Sequence, residues 1–329
     1  MPAGRVVGPV LIAGAGALGS VVGGLLAARG WPVTLLGRPE HLDAVRRRGL
    51  RIEGLFGDHH VGGLACVSDA AALRGEFSTI LLTVKSWDTD ATVRAVAPFL
   101  APGGHVISMQ NGLGNLERIA AVVGDARVLG ARVIFGAEVV DPGRARVTVV
   151  AAPVLVGSPG PSDAPRAAAA ARWAEELAGA GIPSEATEEL LAELWAKVFY
   201  NAALNPVGAL LGVPYGDLPA DPDARAIMDD AIREAFAVAR AAGIRVAWPD
   251  ADAYLALFYG RLVPATARHR SSMLQDLERG RPTEIDAING YVAARGGALG
   301  IPTPVNATLT RMIRARVRHA RPSEEPWTH

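Results

Sequence analysis

The chain has a single cysteine, Cys66, among its 329 residues. A lone thiol forms no internal disulfide and no cysteine-based zinc site, and such scarcity suits a reducing cytoplasm. Charge of one sign is missing too, since 33 basic residues face 33 acidic ones. A nucleic-acid or anionic-membrane binder needs surplus positive charge on some face, so neither partner is expected. Of seven histidines only His59 and His60 are close in sequence, and adjacent side chains point apart on a helix or a strand. No metal site is expected.

Lysine is almost absent. Only Lys85 and Lys197 interrupt an otherwise all-arginine set of basic residues. Arginine keeps its proton near neutral pH, whereas lysine is a compact, titratable donor. A position that keeps lysine in such a sequence is therefore a candidate for needing an amine. Chance retention of two exposed lysines is the bland alternative.

What is present is apolar content, half of all positions, enough for two domains that each bury a core. Val6 to Ala28 carries no charge, yet Pro9 and six glycines argue against a membrane span or a signal peptide. Strand-like Val10 to Ala13 gives way instead to helical Leu18 to Ala28. Strand and helix then alternate: Val33 to Leu36 with Glu40 to Arg48, Thr79 to Val84 with Asp90 to Ala97, Val106 to Met109 with Leu116 to Val122. That alternation predicts an α/β domain, a doubly wound parallel sheet covered on both faces. Val128 to Phe135, Arg146 to Val149 and Val154 to Val156 should close the sheet with antiparallel strands. A loop at Pro159 to Ser162 precedes an Ala-rich helix, Ala164 to Ala178.

From Glu188 helical periodicity dominates, as in Asp221 to Ala242 and Glu284 to Ala294. The expected organisation is a Rossmann-type domain over residues 1–187 and an all-helical domain over 188–329. The boundary is expected near Ile182 to Thr187, and the tail from His319 should fray. Small apolar residues over Ala231 to Ala242 make a homodimer through the helical domain plausible.

Gly14-Ala15-Gly16-Ala17-Leu18-Gly19 is GxGxxG, set directly after an apolar strand and opening a helix. The first glycine permits a tight turn, the second close approach of backbone to a pyrophosphate, the third close helix–strand packing. An NAD site would place an acid at the end of the second strand, but this strand ends Leu36-Gly37-Arg38, and a cation suits the 2′-phosphate of NADP. The alternative has Arg38 merely solvated and Glu40 in the acidic role.

Lys197, Asn201 and Asn205 fall at i, i+4 and i+8 among apolar neighbours, so an amine and two amides share one helical stripe. A polar stripe on a buried helix needs partners, which a polar ligand or an interhelix network would supply. Pro206 disfavours helical geometry at Asn205, so the helix should end or kink there. Val84-Lys85-Ser86-Trp87 and Gln110-Asn111-Gly112 fall just past the carboxyl ends of parallel strands, the edge where open sheets bind ligands. Ser271 to Asp276 and Arg281 to Asp286 read by themselves as helix-cap chemistry.

Taken together, GAGALG, TVKSW, QNGLGN, WAKVFYNAALNP, SSMLQDLERGRPTEIDAINGY and IPTP resemble the ketopantoate reductase (2-dehydropantoate 2-reductase) family from about Val10 to Ile301. The resemblance implies a cytoplasmic oxidoreductase of pantothenate biosynthesis, an NADP-binding Rossmann domain and a helical domain, with the active site in the cleft between them. It makes Lys197 the general acid, and Glu284 the residue that holds that lysine and the substrate or nicotinamide ribose. Asn111, Asn201, Asn205 and Ser272 would bind a keto acid. Gly14, Ala15, Gly16, Ala17, Leu18, Gly19, Arg38, Lys85, Asn111 and Ala137 would hold NADPH. One departure stands out: where the family often carries an Asn-Gly pair whose Asn meets the substrate, this chain reads Tyr215-Gly216. That leaves room for another 2-keto or β-keto acid as substrate. A non-catalytic NADP-binding sensor would have no use for Lys197 with Glu284.

Overall fold

The computed structural model describes residues 8–160 and 163–319. Pro161, Ser162 and the tail beyond His319 lie outside them. Residues up to Asn111 together with Asn115–Leu190 form one compact unit; Gly112–Gly114 and the residues from Leu191 onward form the other.

The first unit carries strands β1 (Val10–Ala13), β2 (Val33–Leu36), β3 (Leu50–Gly54), β4 (His59–Val61), β5 (Ala65–Val67), β6 (Phe77–Leu82), β7 (Leu100–Ser108), β8 (Val128–Arg132), β9 (Phe135–Asp141), β10 (Arg144–Val150), β11 (Val154–Gly157) and β12 (Ser184–Thr187). Its helices are α1 (Ala17–Ala28), α2 (Pro39–Arg48), α3 (Thr89–Val96), α4 (Asn115–Val123) and α5 (Ala164–Gly179). Eight strands form the main sheet in the order β12-β11-β8-β7-β6-β1-β2-β5, the Rossmann-like arrangement expected. β1 is parallel to both neighbours and wholly buried, which is why its sequence is an unbroken apolar run. The one antiparallel pairing in this sheet is β11 against β8, and β12 runs parallel to β11, so these two strands oppose the other six. β12 pairs with β11, so residues 184–187 belong to the sheet.

The expectation that Val128 to Phe135 and Arg146 to Val149 both help to close this sheet is corrected. The run Val128 to Phe135 breaks after Arg132, and β9 and β10 join β3 and β4 in a separate sheet ordered β4-β3-β10-β9. Leu50, Ile52, Ala145 and Val147 face inward, while Arg144 and Arg146 bridge to Glu53 on the outer face, Arg144 at 3.0 Å. The two sheets enclose α1. A Cβ on Gly23 would meet Ile12 and Leu35 of the main sheet, and one on Gly24 would meet Ile52 and Leu50 of the small sheet. A helix buried on both sides has no solvent face for a charge, which accounts for the uncharged stretch through α1.

The second unit is helical: α6 (Leu190–Leu211, whose first residue closes the other unit), α7 (Pro222–Ala241), α8 (Ala251–Leu257), α9 (Val263–Ala265), α10 (Ser272–Glu278), α11 (Asn289–Leu299) and α12 (Pro304–His319). No described helix is long and apolar enough to cross a membrane. Phe199, Phe236, Tyr254 and Phe258 stack at its centre. Ala231, Ala235, Val238 and Ala239 are buried against the protomer's own core, so the small apolar face of α7 is consumed inside the unit and gives no ground for a dimer.

α6 does not end at Asn205; it runs through Pro206 to Leu211. Proline leaves the carbonyl of Ala202 without its helical donor, and Asn289 Nδ2 donates to that oxygen at 2.9 Å. The same nitrogen donates to Asn306 Oδ1 at 3.0 Å, and Asn306 Nδ2 donates to Glu234 Oε2 at 2.7 Å. A buried polar chain thus fastens the proline turn of α6 to α11, α12 and α7. The expected helix over Glu284 to Ala294 is likewise corrected: Glu284–Ala287 form a 3-10 turn, and Ile288, at φ −108° and ψ −98°, breaks it from α11.

Candidate functional site

In the first unit the residues picked from sequence gather at the carboxyl ends of β1, β2, β6 and β7. Gly14 has φ +116°, and a Cβ there would lie 2.5 Å from Val84 N, so only glycine makes this turn. A Cβ on Gly19 would sit 2.7 Å from Thr83 Oγ1 and 2.9 Å from Ile12, which sets how closely α1 packs on the sheet. Gly16 differs from both. A Cβ there would meet nothing nearer than Gly14 O at 4.0 Å, so its outer side is open. Gly16 is also the N-cap of α1 and supplies no side-chain acceptor, which leaves the first amides of Ala17 and Leu18 facing outward with the positive end of the helix dipole. The open approach and the uncapped amides fit a pyrophosphate.

Arg38 follows β2 as the N-cap of α2; it is exposed, and its side chain makes no hydrogen bond or ion pair within the described residues. Glu40 lies in the first turn of the same helix. Lys85, just past β6, sets its ammonium over the Trp87 ring, 5.7 Å from the centroid. Asn111 ends the segment after β7 and is half-buried. A buried network that the sequence reading missed ties these two loops together. Gln110 Nε2 donates to Val84 O at 3.0 Å and to Thr89 Oγ1 at 2.8 Å. Asn115 Nδ2 donates to Asn111 O at 3.0 Å, and Asn115 Oδ1 lies 3.0 Å from Thr89 Oγ1. A fully buried Thr89 three residues into an otherwise surface-facing segment was the available signal. Ala137 lies elsewhere: it is mid-strand in β9, paired with Val147 and packed on the core.

In the helical unit Lys197, Asn201 and Asn205 do lie on one helix at four-residue spacing. Lys197 is half-buried, while Asn201 and Asn205 are only 8% and 5% exposed. Asn201 makes no hydrogen bond within the described residues, yet its amide atoms are not sealed from solvent. A nearly buried amide that opens on solvent without a protein partner is what a polar ligand would satisfy. Asn205 accepts the Tyr215 hydroxyl proton on Oδ1. Its backbone oxygen accepts from Ser271 Oγ at 3.4 Å.

Ser271 is the N-cap of α10 and accepts from Leu274 N–H at 3.0 Å, whereas Ser272, the residue picked from sequence, is exposed. Glu284 is buried at the start of its 3-10 turn. The loop before it is held by Arg281, which donates to Asp276 Oδ1 at 2.6 Å, and the turn itself is clamped where Leu113 N–H donates to Ala287 O at 2.7 Å. Among the described residues no cluster of three or more His, Cys, Asp or Glu could hold a metal ion.

The family models and the curated relatives agree with one another. The family described as "Ketopantoate reductase PanE/ApbA" matches residues 10–160, and "Ketopantoate reductase PanE/ApbA C terminal" matches residues 189–317. The 2-dehydropantoate 2-reductase of Aquifex aeolicus is 34% identical over 307 residues, covering 93% of this chain and 96% of that protein. The enzyme of the same name from Pyrococcus horikoshii is 33% identical over 312 residues, covering 93% and 97%. Among solved structures, a PanE/ApbA family ketopantoate reductase from Ralstonia eutropha JMP134 superposes with TM-score 0.84 at 36% identity, over 94% of this chain and 98% of that one. D-mandelate dehydrogenase, solved with NADH, shares the fold with TM-score 0.85 at 24% identity, over 94% and 98%.

Proposed function

The chain belongs to the ketopantoate reductase family of oxidoreductases, which act on a CH–OH group, and on that premise we propose that it reduces 2-dehydropantoate to pantoate with NADPH. The observation that carries the reading is the stripe on α6: one of the chain's two lysines in line with two asparagines, the middle one nearly buried and without a protein partner.

NADPH, when bound, supplies hydride to the C2 ketone. The work of the chain is to hold the reactants and move one proton. Lys197 donates a proton to the oxygen that develops negative charge at C2; lysine's ordinary pKa of about 10.4 keeps such an amine charged at neutral pH, able to neutralise an alkoxide and then release a proton. Glu284 orients that amine. Asn201, Asn205, Ser272 and Asn111 fix the rest of the keto acid. In the first unit the amides behind Gly16 take the pyrophosphate, Lys85 and Asn111 contact the cofactor, and the unpartnered Arg38 pairs with the 2′-phosphate. Ala137 is the weakest of the cofactor assignments, because its strand lies in the smaller sheet.

A second reading keeps the fold and the chemistry but changes the keto acid, and Tyr215 favours it. The test of both is NADPH oxidation, followed by absorbance, with ketopantoate beside pyruvate, 2-oxoisovalerate and phenylglyoxylate. Preference for ketopantoate supports the first reading and preference for another acid the second. Cofactor binding without turnover on any of them overturns both.

A further inference from the structure

The Tyr215 hydroxyl is spent inside the protein. The residue is 2% exposed and donates to Asn205 Oδ1. Its backbone is docked on a neighbouring segment: Tyr215 N–H donates to His269 O at 3.1 Å and Gly216 N–H to Ala267 O at 2.9 Å. A Cβ on Gly216 would come within 2.8 Å of Ala267 Cβ, so the close approach depends on glycine. The ring is wedged edge-on against Tyr200, centroids 5.9 Å apart, and beside His269 at 5.2 Å. Backbone and ring are both fixed, and so is the direction in which the phenol points.

That contact decides which way the Asn205 amide faces. Burial pushes the Tyr215 phenol well above its ordinary pKa, so the hydroxyl keeps its proton and must donate. Among the described residues the acceptor it meets is Asn205 Oδ1. With the amide flipped, Nδ2 would donate to the phenol oxygen and the buried hydroxyl proton would lose its acceptor, at a cost of order 1–3 kcal/mol. Asn205 Nδ2 is thereby left without a protein partner and not sealed from solvent, on the same helical stripe as Asn201 and Lys197.

We propose that Tyr215 is a positioning residue that sets substrate preference by locking the Asn205 carboxamide with its NH2 group toward the ligand. The inference rests on the keto-acid reductase reading of this site. It deepens that reading by making this position donor-only. The ligand group lodged there is an unprotonated oxygen acceptor of the 2-keto acid, and a group that can only donate is refused.

The test is a double-mutant cycle. Tyr215→Phe keeps the ring and removes the lock, so KM for the preferred keto acid should rise about tenfold while kcat stays within about threefold and KM for NADPH is unchanged. Asn205→Asp keeps an acceptor for the phenol but replaces the donor with a negative charge, and should raise KM further. Adding Tyr215→Phe to Asn205→Ala should cost nothing beyond Asn205→Ala alone, because the tyrosine acts only through that amide. An unchanged KM in Tyr215→Phe, or additive losses, overturns the proposal. Failure of the reductase reading is recognised separately, by absence of turnover in the unmutated protein. The lock is then read from the Asn205 side-chain NH2 resonances, which should be a resolved, slowly exchanging pair that collapses in Tyr215→Phe; a pair that does not move between the two proteins overturns it equally.

Discussion

The two units present their candidate residues on different materials. The first uses backbone: a glycine turn, uncapped amides at the start of α1 and an open approach at Gly16, with side chains added only at the rim. The helical unit uses side chains on a single helix, and where Pro206 deprives Ala202 O of its donor, Asn289, 87 residues from Ala202 in sequence, replaces it. A backbone site is secured by local geometry and tolerates distant change. A side-chain stripe depends on everything that fixes the helix.

The sharpest way to break this contrast is within the glycine turn itself. Gly14→Ala puts a side chain at φ +116° against the Val84 backbone, so both stability and NADPH affinity should fall, affinity by about a hundredfold or more. Gly16→Ala meets no protein atom within van der Waals range and should leave the melting temperature unchanged while weakening NADPH about tenfold or more, since its methyl fills the phosphate approach. Equal loss of stability in the two variants, by thermal unfolding, would show that Gly16 is a packing residue. Arg38→Ala should weaken NADPH about tenfold and NADH little, measured by fluorescence titration; equal losses would remove the 2′-phosphate assignment.

On the helical side, Asn289→Ala strips donors from Ala202 O and Asn306 Oδ1 in a fully buried setting. It should lower unfolding stability by about 2 kcal/mol or more and raise KM for the keto acid, with NADPH affinity unchanged. A variant with altered NADPH affinity would contradict the division of labour. The smallest effect concerns pH. Burial lowers the pKa of His41, His105 and His269 below the ordinary 6.5, with Arg38 and Arg172 assisting at the first two. The unfolded chain therefore takes up more protons below pH 6.5, so the stability these neutral rings give is full above that pH and is lost as pH falls toward their folded values. His41, which accepts from Gly143 N–H at 3.1 Å and lies 2.9 Å from Ser20 Oγ, should account for part of the slope, and His41→Gln should flatten it in melts between pH 7 and 5.

How much of this was legible in the sequence follows the same division. GxGxxG announced its turn because strand, glycines and helix are contiguous; Gly14 and Gly19 have the turn and packing roles their positions implied, and the side of Gly16 is left open. The α6 stripe was legible because a helix repeats every 3.6 residues. The smaller sheet was not: β3 and β4 are five and three residues long, and β3 alternates buried with exposed positions too briefly to declare a strand. The course of α6 past Pro206 was hidden too, because proline's local cost is visible in sequence and its remote compensation by Asn289 is not. Tyr215 is visible in sequence as a departure that leaves the keto acid open, but the partner of its hydroxyl is not, because Asn205 receives it only through the docking of 215–216 on 267–269.

The central claim is that Lys197, on the helical unit, delivers the proton in a reaction whose cofactor the other unit holds. Its most direct test is single-turnover NADPH oxidation by Lys197→Ala at saturating keto acid, paired with NADPH titration of the same variant. The account predicts a rate at least about a hundredfold lower with cofactor affinity within about twofold of the parent; turnover that survives intact would contradict it.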